Sequence, residues 1–365
     1  MTPATSAQAV YATVTHGVPA WLVIDRVNNG LAFGGFRFTD TVDQAQVGLL
    51  ASTMSWKLAA HGLPVGGAKA GVRCRPDHPR IDEILKDLAS AWRQPLSQQV
   101  ILGKDMGASD ALLDRLYEHL GKPQLHLVQA RTPDAPGRIR ELTGYVRDMT
   151  GLGAAIAAEA AVGSLQGKRI LIQGAGIVGA GVAVRATQRG AIVVGMSDID
   201  RAIVSPGGLP VAEQVLAARE AGRQFSLASL EAAGGTWLPR DAMLAQQADI
   251  LFLAAGSHVV PPELAETIQA GVVIEASNFG LTEEANGVLF ARGIPVVPDA
   301  ISSSSSAAMT CLQLAQGNTW QPGPLWDRIE SNIRTAVAEG LQRASQSRQP
   351  LREAYKAMYG HVLSH

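Results

Sequence analysis

Two lysines twelve residues apart decide what chemistry this chain can do. Lys57 ends the run Met54-Ser55-Trp56-Lys57, and Lys69 stands in Leu63-Pro64-Val65-Gly66-Gly67-Ala68-Lys69-Ala70-Gly71. Glycines on both sides leave the second ammonium without bulky neighbours and let a ligand come close to the backbone. One lysine can hold an anion. A second brought beside it loses proton affinity, because like charges repel and partial burial disfavours the charged form. A lysine pushed toward neutrality is a general base. Each also has a plain reading: Lys57 can snorkel to water along an apolar face, and Gly-Gly-x-Lys can be an ordinary exposed turn. Asp105, in Gly103-Lys104-Asp105-Met106-Gly107, is a carboxylate just past an apolar run, where it either moves protons or bonds its own turn.

A second constellation is Gly174-Ala175-Gly176-Ile177-Val178-Gly179, after the apolar run Arg169-Ile170-Leu171-Ile172-Gln173. Its glycines fall where a tight turn, close approach to a pyrophosphate and helix packing each need no side chain. Asp198 ends the next apolar run, about twenty residues on, where a ribose hydroxyl would be bound. Arg201 nearby leaves room for a 2′-phosphate, so NAD is expected, with NADP as the alternative. Ala254 and Ala255, after Ile250-Leu251-Phe252-Leu253, complete the expected cofactor contacts.

The elements that must position these groups follow from periodicity. Val47, Leu50, Met54 and His61 recur at helical steps, with Lys57 inside the stripe and His61 expected as a packed core histidine. Ala20 to Ile24 and Val100 to Leu102 read as strands, and Leu112, Leu113, Leu116 and Leu120 as a helix. From Thr150 onward, strands alternate with helices in the rhythm of a parallel sheet, the later strands being Ala191 to Gly195, Val272 to Ile274 and Ile294 to Val297. The expected fold is α/β in two domains: a mixed α/β substrate domain over 1–135, a Rossmann-type domain over 145–320, and a helical segment over 321–365 folding back onto the first. The breaker-rich stretch from Arg131 to Gly137 is the expected crossing.

The 365 residues carry a formal charge of −1, 47% hydrophobic and 17% charged residues, and only Cys74 and Cys311. That excludes bulk attraction to nucleic acid or anionic membranes and a disulfide framework. No secretion signal or membrane-length apolar run is seen, so a cytoplasmic protein acting on small molecules is expected. His361 and His365, four apart, lack a companion acid, and no metal site is expected.

Taken together, these motifs resemble the glutamate/leucine/phenylalanine/valine dehydrogenase superfamily. The match runs from about Gly34 to Thr310: Gly34-Gly35-Phe36-Arg37, the two-lysine segment, Gly103 to Gly107, Thr150-Gly151, the glycine turn, Glu275-Ala276-Ser277-Asn278 and Pro298-Asp299. The resemblance implies an oligomeric, nicotinamide-dependent amino-acid dehydrogenase. By it, Lys57 binds the substrate α-carboxylate, Lys69 is the catalytic base and Asp105 shuttles protons to the amine. Thr150 lies by the nicotinamide, and Asn278 by the substrate or the nicotinamide ribose. Gly34 and Gly35 are among the substrate-binding residues, and Gly103, Ala307 and Thr310 line the side-chain pocket.

Phe33 stands where glutamate-specific members carry the lysine for the distal carboxylate. A carboxylate left unpaired there is disfavoured well over tenfold. Gly103 and Ala307 are small, so a bulky apolar or aromatic L-amino acid is expected, closer to the leucine/phenylalanine/valine branch. A branched-chain substrate, a non-amino substrate, an unusual pathway substrate and a non-catalytic cofactor-binding protein are the alternatives. Ser302 to Ser306 replace the family's Asn-Ala-Gly-Gly, with Ser303 at the asparagine position; their hydroxyls are expected to line a pocket rather than form a linker.

Overall fold

The computed structural model describes residues 9–141, 148–316 and 322–360. The chain divides into two compact units: Met1–Tyr145 with Ala307–Trp326 and Tyr359–His365, and Val146–Ser306 with Asp327–Met358.

The first unit is built on a five-stranded sheet of β1 (Ala9–Thr15), β2 (Val18–Ile24), β3 (Ala32–Phe38), β4 (Gly66–Val72) and β5 (Val100–Lys104), in the order β1-β2-β4-β3-β5. Strands β3, β4 and β5 run parallel; β1 and β2 are antiparallel to their neighbours. Alternation sorts the side chains. Ala32, Phe36, Phe38, Ala68, Ala70, Val72, Val100 and Leu102 enter a core with α2 (Ile81–Ala91) and α4 (Asp110–Leu120), where Leu85, Leu88, Leu113 and Leu116 meet them. The residues between them, Phe33, Gly35 and Arg37 on β3, Gly67, Lys69 and Gly71 on β4, Ile101 and Gly103 on β5, face the other way. The 16-residue helix α1 (Gln44–Ala59), started by Asp43 whose side chain accepts from the Gln46 N–H at 2.8 Å, packs on that second face.

The Gly-Gly-x-Lys segment is therefore a strand and not a turn. Its glycines serve packing: a Cβ on Gly67 would lie 2.3 Å from the Ala51 carbonyl oxygen and 2.3 Å from the Ser55 nitrogen, so α1 sits directly on the β4 backbone.

The second unit carries a seven-stranded sheet in the order β12-β11-β10-β6-β7-β8-β9. Its parallel part is β6 (Arg169–Gln173), β7 (Ile192–Ser197), β10 (Gln247–Leu253), β11 (Gln269–Glu275) and the two-residue β12 (Val296–Val297); β8 (Arg201–Val204) and β9 (Thr236–Pro239) extend it antiparallel. The chain leaves β6 toward β7 on one side and returns through β10 on the other. The carboxyl end of β6 is thus a switch point, where open α/β sheets bind ligands. Helices α6 (Met149–Val162), α7 (Ile177–Thr187) and α8 (Val211–Glu220) pack against one another in this unit.

Two expectations on organisation change. The division between the units falls at Tyr145 and Val146, past the Arg131 to Gly137 stretch. The tail is helical, α13 (Pro322–Ser347) and α14 (Leu351–Tyr359), and Ile329, Ile333 and Val337 are buried, but Asp327–Met358 belongs to the Rossmann-type unit. Arg334 pairs with Glu159 on α6, and Arg352 pairs with Glu275 and with Asp299, the latter at 3.0 Å. The start of the tail, up to Trp326, and its end from Tyr359 go with the first unit, where the Gly360 carbonyl accepts from Arg26 Nη1 at 2.6 Å. The paired histidines, His361 and His365, lie outside the described residues.

The serine run is also different from expectation. It is the end of α11 (Asp299–Ser302) and the start of α12 (Ser305–Gln316), with Ser302 to Ser305 buried. The Ser302 hydroxyl donates to the Glu275 carbonyl at 2.6 Å, Ser303 to Asp299 at 2.8 Å, Ser304 to Ile301 at 2.7 Å and Ser305 to Met149 at 2.7 Å. These hydroxyls satisfy carbonyls at a helix break, the local bonding serine favours, rather than facing an open pocket.

Candidate active site

The pleat of the first sheet delivers Lys69 and Asp105 to one point. Lys69 Nζ lies 2.8 Å from Asp105 Oδ2, and Arg37 Nε donates to the same oxygen at 2.7 Å. Gly35 makes this possible, since a Cβ there would lie 2.7 Å from Asp105 Cβ and 3.0 Å from Lys69 Nζ. Gly34, pointing the other way, is bound by packing: its Cβ would be 1.7 Å from the Ala68 carbonyl oxygen. Lys57, in the last turn of α1, is 7% exposed and Lys69 4%, so neither lysine snorkels. His61, 2% exposed, is the packed histidine expected.

Burial pushes Lys69 below the ordinary lysine value; Asp105 opposes this, Arg37 adds to it, and the net direction is down. The cation that joins burial is thus Arg37, where Lys57 was expected. Burial by itself would raise Asp105, but the Lys69 ammonium and the Arg37 guanidinium overturn that and hold its carboxyl well below the usual range. Asp105 is a firm anion and Lys69 a weakened cation. The Gly34-Gly35-Phe36-Arg37 motif by itself assigns Arg37 no role; its place two residues after Gly35 on an alternating strand is the sequence signal that puts it on the Lys69 face.

A buried junction holds the two lysine-bearing elements together. Asp25, at the end of β2, accepts from Ser52 Oγ at 2.6 Å and Ser55 Oγ at 2.5 Å, and Ser55 Oγ accepts from the Gly67 N–H at 3.0 Å. Ser55 lies two residues before Lys57, and Gly67 two before Lys69. Ser55→Ala is expected to cost about 1–3 kcal/mol, since it leaves the Gly67 N–H and an Asp25 oxygen buried without this partner. A denaturant unfolding curve measures it, and an unchanged midpoint would remove the junction from the account.

Phe33, Gly103, Ala307 and Thr310 also belong to the first unit. A Cβ on Gly103 would meet the tip of the Phe33 ring at 3.1 Å, so glycine there makes room for the ring. Beyond it opens a cavity of about 280 Å³ lined by Leu31, Phe33, Val65, Ile101, Val128 and Leu314, among others.

In the second unit, Gly174, Ala175, Gly176, Asp198, Ala254 and Ala255 line a cavity of about 390 Å³ at the carboxyl ends of β6, β7 and β10. Gly174 has φ of +105°, which only glycine adopts easily. Gly176 caps α7 with no side-chain bond, leaving first-turn N–H groups for an anion, and a Cβ on it would face open space. Gly179, 1.8 Å from the Gly174 oxygen by the same measure, is the packing glycine. Ile177 and Val178 open α7 and do not line the cavity; Ile177 is 81% exposed. The buried Gln173 Oε1, on the same cavity, has no hydrogen-bond partner, an atom a bound group would satisfy. These residues fit a dinucleotide.

Asp198 Oδ1 accepts from the Asp200 and Arg201 N–H groups at 2.9 Å each, so it shapes its turn and still lines the cavity. Arg201 stacks on Trp237 at 3.9 Å and pairs with Glu231 at 2.8 Å, and is not in the lining. Thr150 is in the first turn of α6, behind Asp148, which holds both Nη groups of Arg219 at 2.6 and 2.8 Å. The Asn278 carbonyl accepts from Ser257 Oγ at 2.8 Å beyond β11. Glu275 is a framework residue, buried, accepting from the Leu281 N–H at 3.0 Å and pairing with Arg352; burial raises its pKa against that arginine's pull. Among the described residues no helix is long and apolar enough to cross a membrane.

Comparison with known proteins agrees with this geometry. Residues 145–363 match the Glutamate/Leucine/Phenylalanine/Valine dehydrogenase family, and residues 10–119 match the Glu/Leu/Phe/Val dehydrogenase dimerisation domain. Glutamate dehydrogenase A2 of Halobacterium salinarum is 31% identical over 313 residues, 82% of this chain and 72% of that protein. The NADP(+)-dependent glutamate dehydrogenase of Pyrobaculum calidifontis is 30% identical over 315 residues, with the same shares. Among solved structures, the hetero-hexameric glutamate dehydrogenase from Thermus thermophilus, in its Leu bound form, has a TM-score of 0.79 at 26% identity, covering 98% of this chain and 88% of that one. These named relatives are glutamate dehydrogenases, so the comparisons do not favour the leucine/phenylalanine/valine branch. The chain belongs to the Glu/Leu/Phe/Val dehydrogenase family and is an NAD(P)-dependent amino-acid dehydrogenase.

Proposed function

We propose that the enzyme oxidatively deaminates an L-amino acid with a bulky apolar or aromatic side chain, reversibly, to its 2-oxo acid and ammonia, with NAD preferred. The observation that carries the substrate class is Phe33, set against Gly103 at the edge of an apolar cavity of about 280 Å³. The preference for NAD rests on Asp198 in the cofactor cavity, with Arg201 held away by Glu231 and Trp237.

Lys57 would hold the α-carboxylate and Asp105 Oδ1 the α-ammonium. A bound nicotinamide ring supplies the hydride acceptor. Lys69, neutral once its proton has passed to solvent, would take a proton from the water that adds to the iminium carbon; Asp105 would carry the proton that ammonia needs to leave. The phosphates would lie on Gly174 to Gly179, the ribose on Asp198, the nicotinamide by Thr150 and Asn278, and Ala307 and Thr310 would bound the substrate side chain. An oligomer is expected, as the matched dimerisation domain suggests.

The second reading is glutamate itself, favoured by the relatives' names. A spectrophotometric screen of L-amino acids with NAD and NADP, and of 2-oxo acids with ammonia, separates the two. Phenylalanine or leucine is expected to exceed glutamate in kcat/KM by more than tenfold. Preference for glutamate would overturn the apolar reading, and reduction without ammonia would overturn the deamination chemistry.

A further inference from the structure

The cavity beyond Phe33, of about 280 Å³, carries polar as well as apolar side chains. Its wall combines Leu31, Phe33, Pro64, Val65, Ile101 and Leu314 with the polar Asn29, Arg131 and Thr132, and Arg131 is tied to the Asn29 carbonyl, two residues before Leu31. We infer that the substrate's apolar body ends in a hydrogen-bond acceptor oxygen that Arg131 reads, so that Arg131 is a specificity-determining residue. This rests on the amino-acid dehydrogenase reading above.

Distances along the sheet decide between acceptor-bearing side chains. Gly35 is level with Gly103 and, in the same register, with Lys69; Phe33 is level with Gly67 and Ile101, one step of two residues toward the amino ends of the strands. Leu31 and Val65 lie one further step away. Each step is about 7 Å, so the Arg131 end of the cavity is roughly 14 Å of strand from the Lys69 row. Glutamate's carboxylate is three carbon-carbon bonds from its α-carbon, within about 5 Å, and ends level with Phe33. A ring with an oxygen at its far side spans more of the distance. On helix α12, Leu314 of the cavity wall lies one turn past Thr310, about 6 Å on.

Arg131 is equipped for that reading. It spends one N–H on the Asn29 carbonyl, at 2.7 Å, and among the described residues no carboxylate pairs with it. Its planar fork can meet a carboxylate with two bonds or a phenol oxygen with one. The side chain is exposed, so solvent screening keeps the effect moderate.

The test compares L-phenylalanine, L-tyrosine and 4-carboxy-L-phenylalanine on the wild type and Arg131→Ala, with calorimetric Kd values for 4-carboxy-L-phenylalanine in the presence of NADH. The wild type is expected to favour an oxygen-tipped substrate over phenylalanine. Arg131→Ala is expected to lower that ratio of kcat/KM values about tenfold and to weaken Kd similarly, the scale of one charged hydrogen bond. A larger fall for the carboxylate than for tyrosine assigns an anionic tip, and the reverse a phenol; either supports the inference. A ratio that Arg131→Ala leaves unmoved overturns it and leaves the deamination reading standing. If no amino acid is turned over, that reading falls, and the Kd comparison still decides for or against Arg131.

Discussion

Lys69→Ala is expected to lower kcat for amino-acid oxidation by about 10²–10⁴-fold, the range for a lost general base, while the Kd of NADH stays within about twofold. The two quantities separate because Lys69 belongs to the first unit and the dinucleotide residues to the second. Loss of NADH binding in the variant would mean general damage; unchanged kcat would remove Lys69 from the chemistry.

The same lysine sets the pH dependence. Deamination needs it neutral, and burial lowers its pKa, so kcat/KM should rise with pH and level off below the ordinary lysine value of 10.5. Because its folded pKa is below its unfolded one, the unfolded chain binds more protons in that window. This group's contribution to stability therefore also rises with pH there. Asp105 has the depressed pKa of a paired carboxylate: its stabilising contribution is present above the unfolded value near 3.9 and fades as pH falls through the lower folded value. Acid unfolding of Asp105→Asn against wild type checks that sign. A kcat/KM profile still climbing above pH 10.5 would contradict the lowered Lys69.

Phe33→Lys is expected to move the ratio of kcat/KM for glutamate over that for phenylalanine by about 100-fold or more. A charged bond gained with one substrate is worth about 1.5–3 kcal/mol, and the apolar ring contact is lost with the other. Gly103 leaves space at the Phe33 ring tip, so the new chain can extend without displacing backbone. Without substrate the ammonium is nearly buried and unpaired, so a lower unfolding midpoint should accompany the switch. Competition assays with both amino acids measure the ratio; a ratio within a few-fold of wild type would separate Phe33 from substrate choice. The Arg131 inference predicts a different pattern, because that residue should affect only side chains long enough to pass Phe33.

Much of the fold was legible because its signals are local. The helical stripe around Lys57, the strand before the glycine turn and the acid at the end of the next strand each depend on a few neighbouring residues, and each appears in place. The Gly-Gly-x-Lys segment did not follow its local signal. Gly66, Gly67 and Gly71 are turn-like by type, but the chain there is a central strand, because α1 needs backbone without side chains to pack on and β2 and β3 supply hydrogen-bond partners on both edges. The serine run reads as a linker or a polar wall by composition. Tertiary surroundings bury it, and the hydroxyls bond carbonyls instead.

By itself the sequence determined the class of chemistry: two lysines at a set spacing, a carboxylate past a strand, and a glycine turn with an acid downstream are short-range patterns, and the reaction at the α-carbon needs those groups alone. Only the tertiary structure decided how the groups act on one another. Arg37 reaches Asp105 across 68 positions of chain and, with the Lys69 ammonium, holds it as an anion against burial, while burial makes Lys69 a weakened cation. The tail's place with the Rossmann-type unit likewise depends on Arg352 meeting Glu275 and Asp299. Such effects depend on distance and burial, which spacing along a chain does not encode.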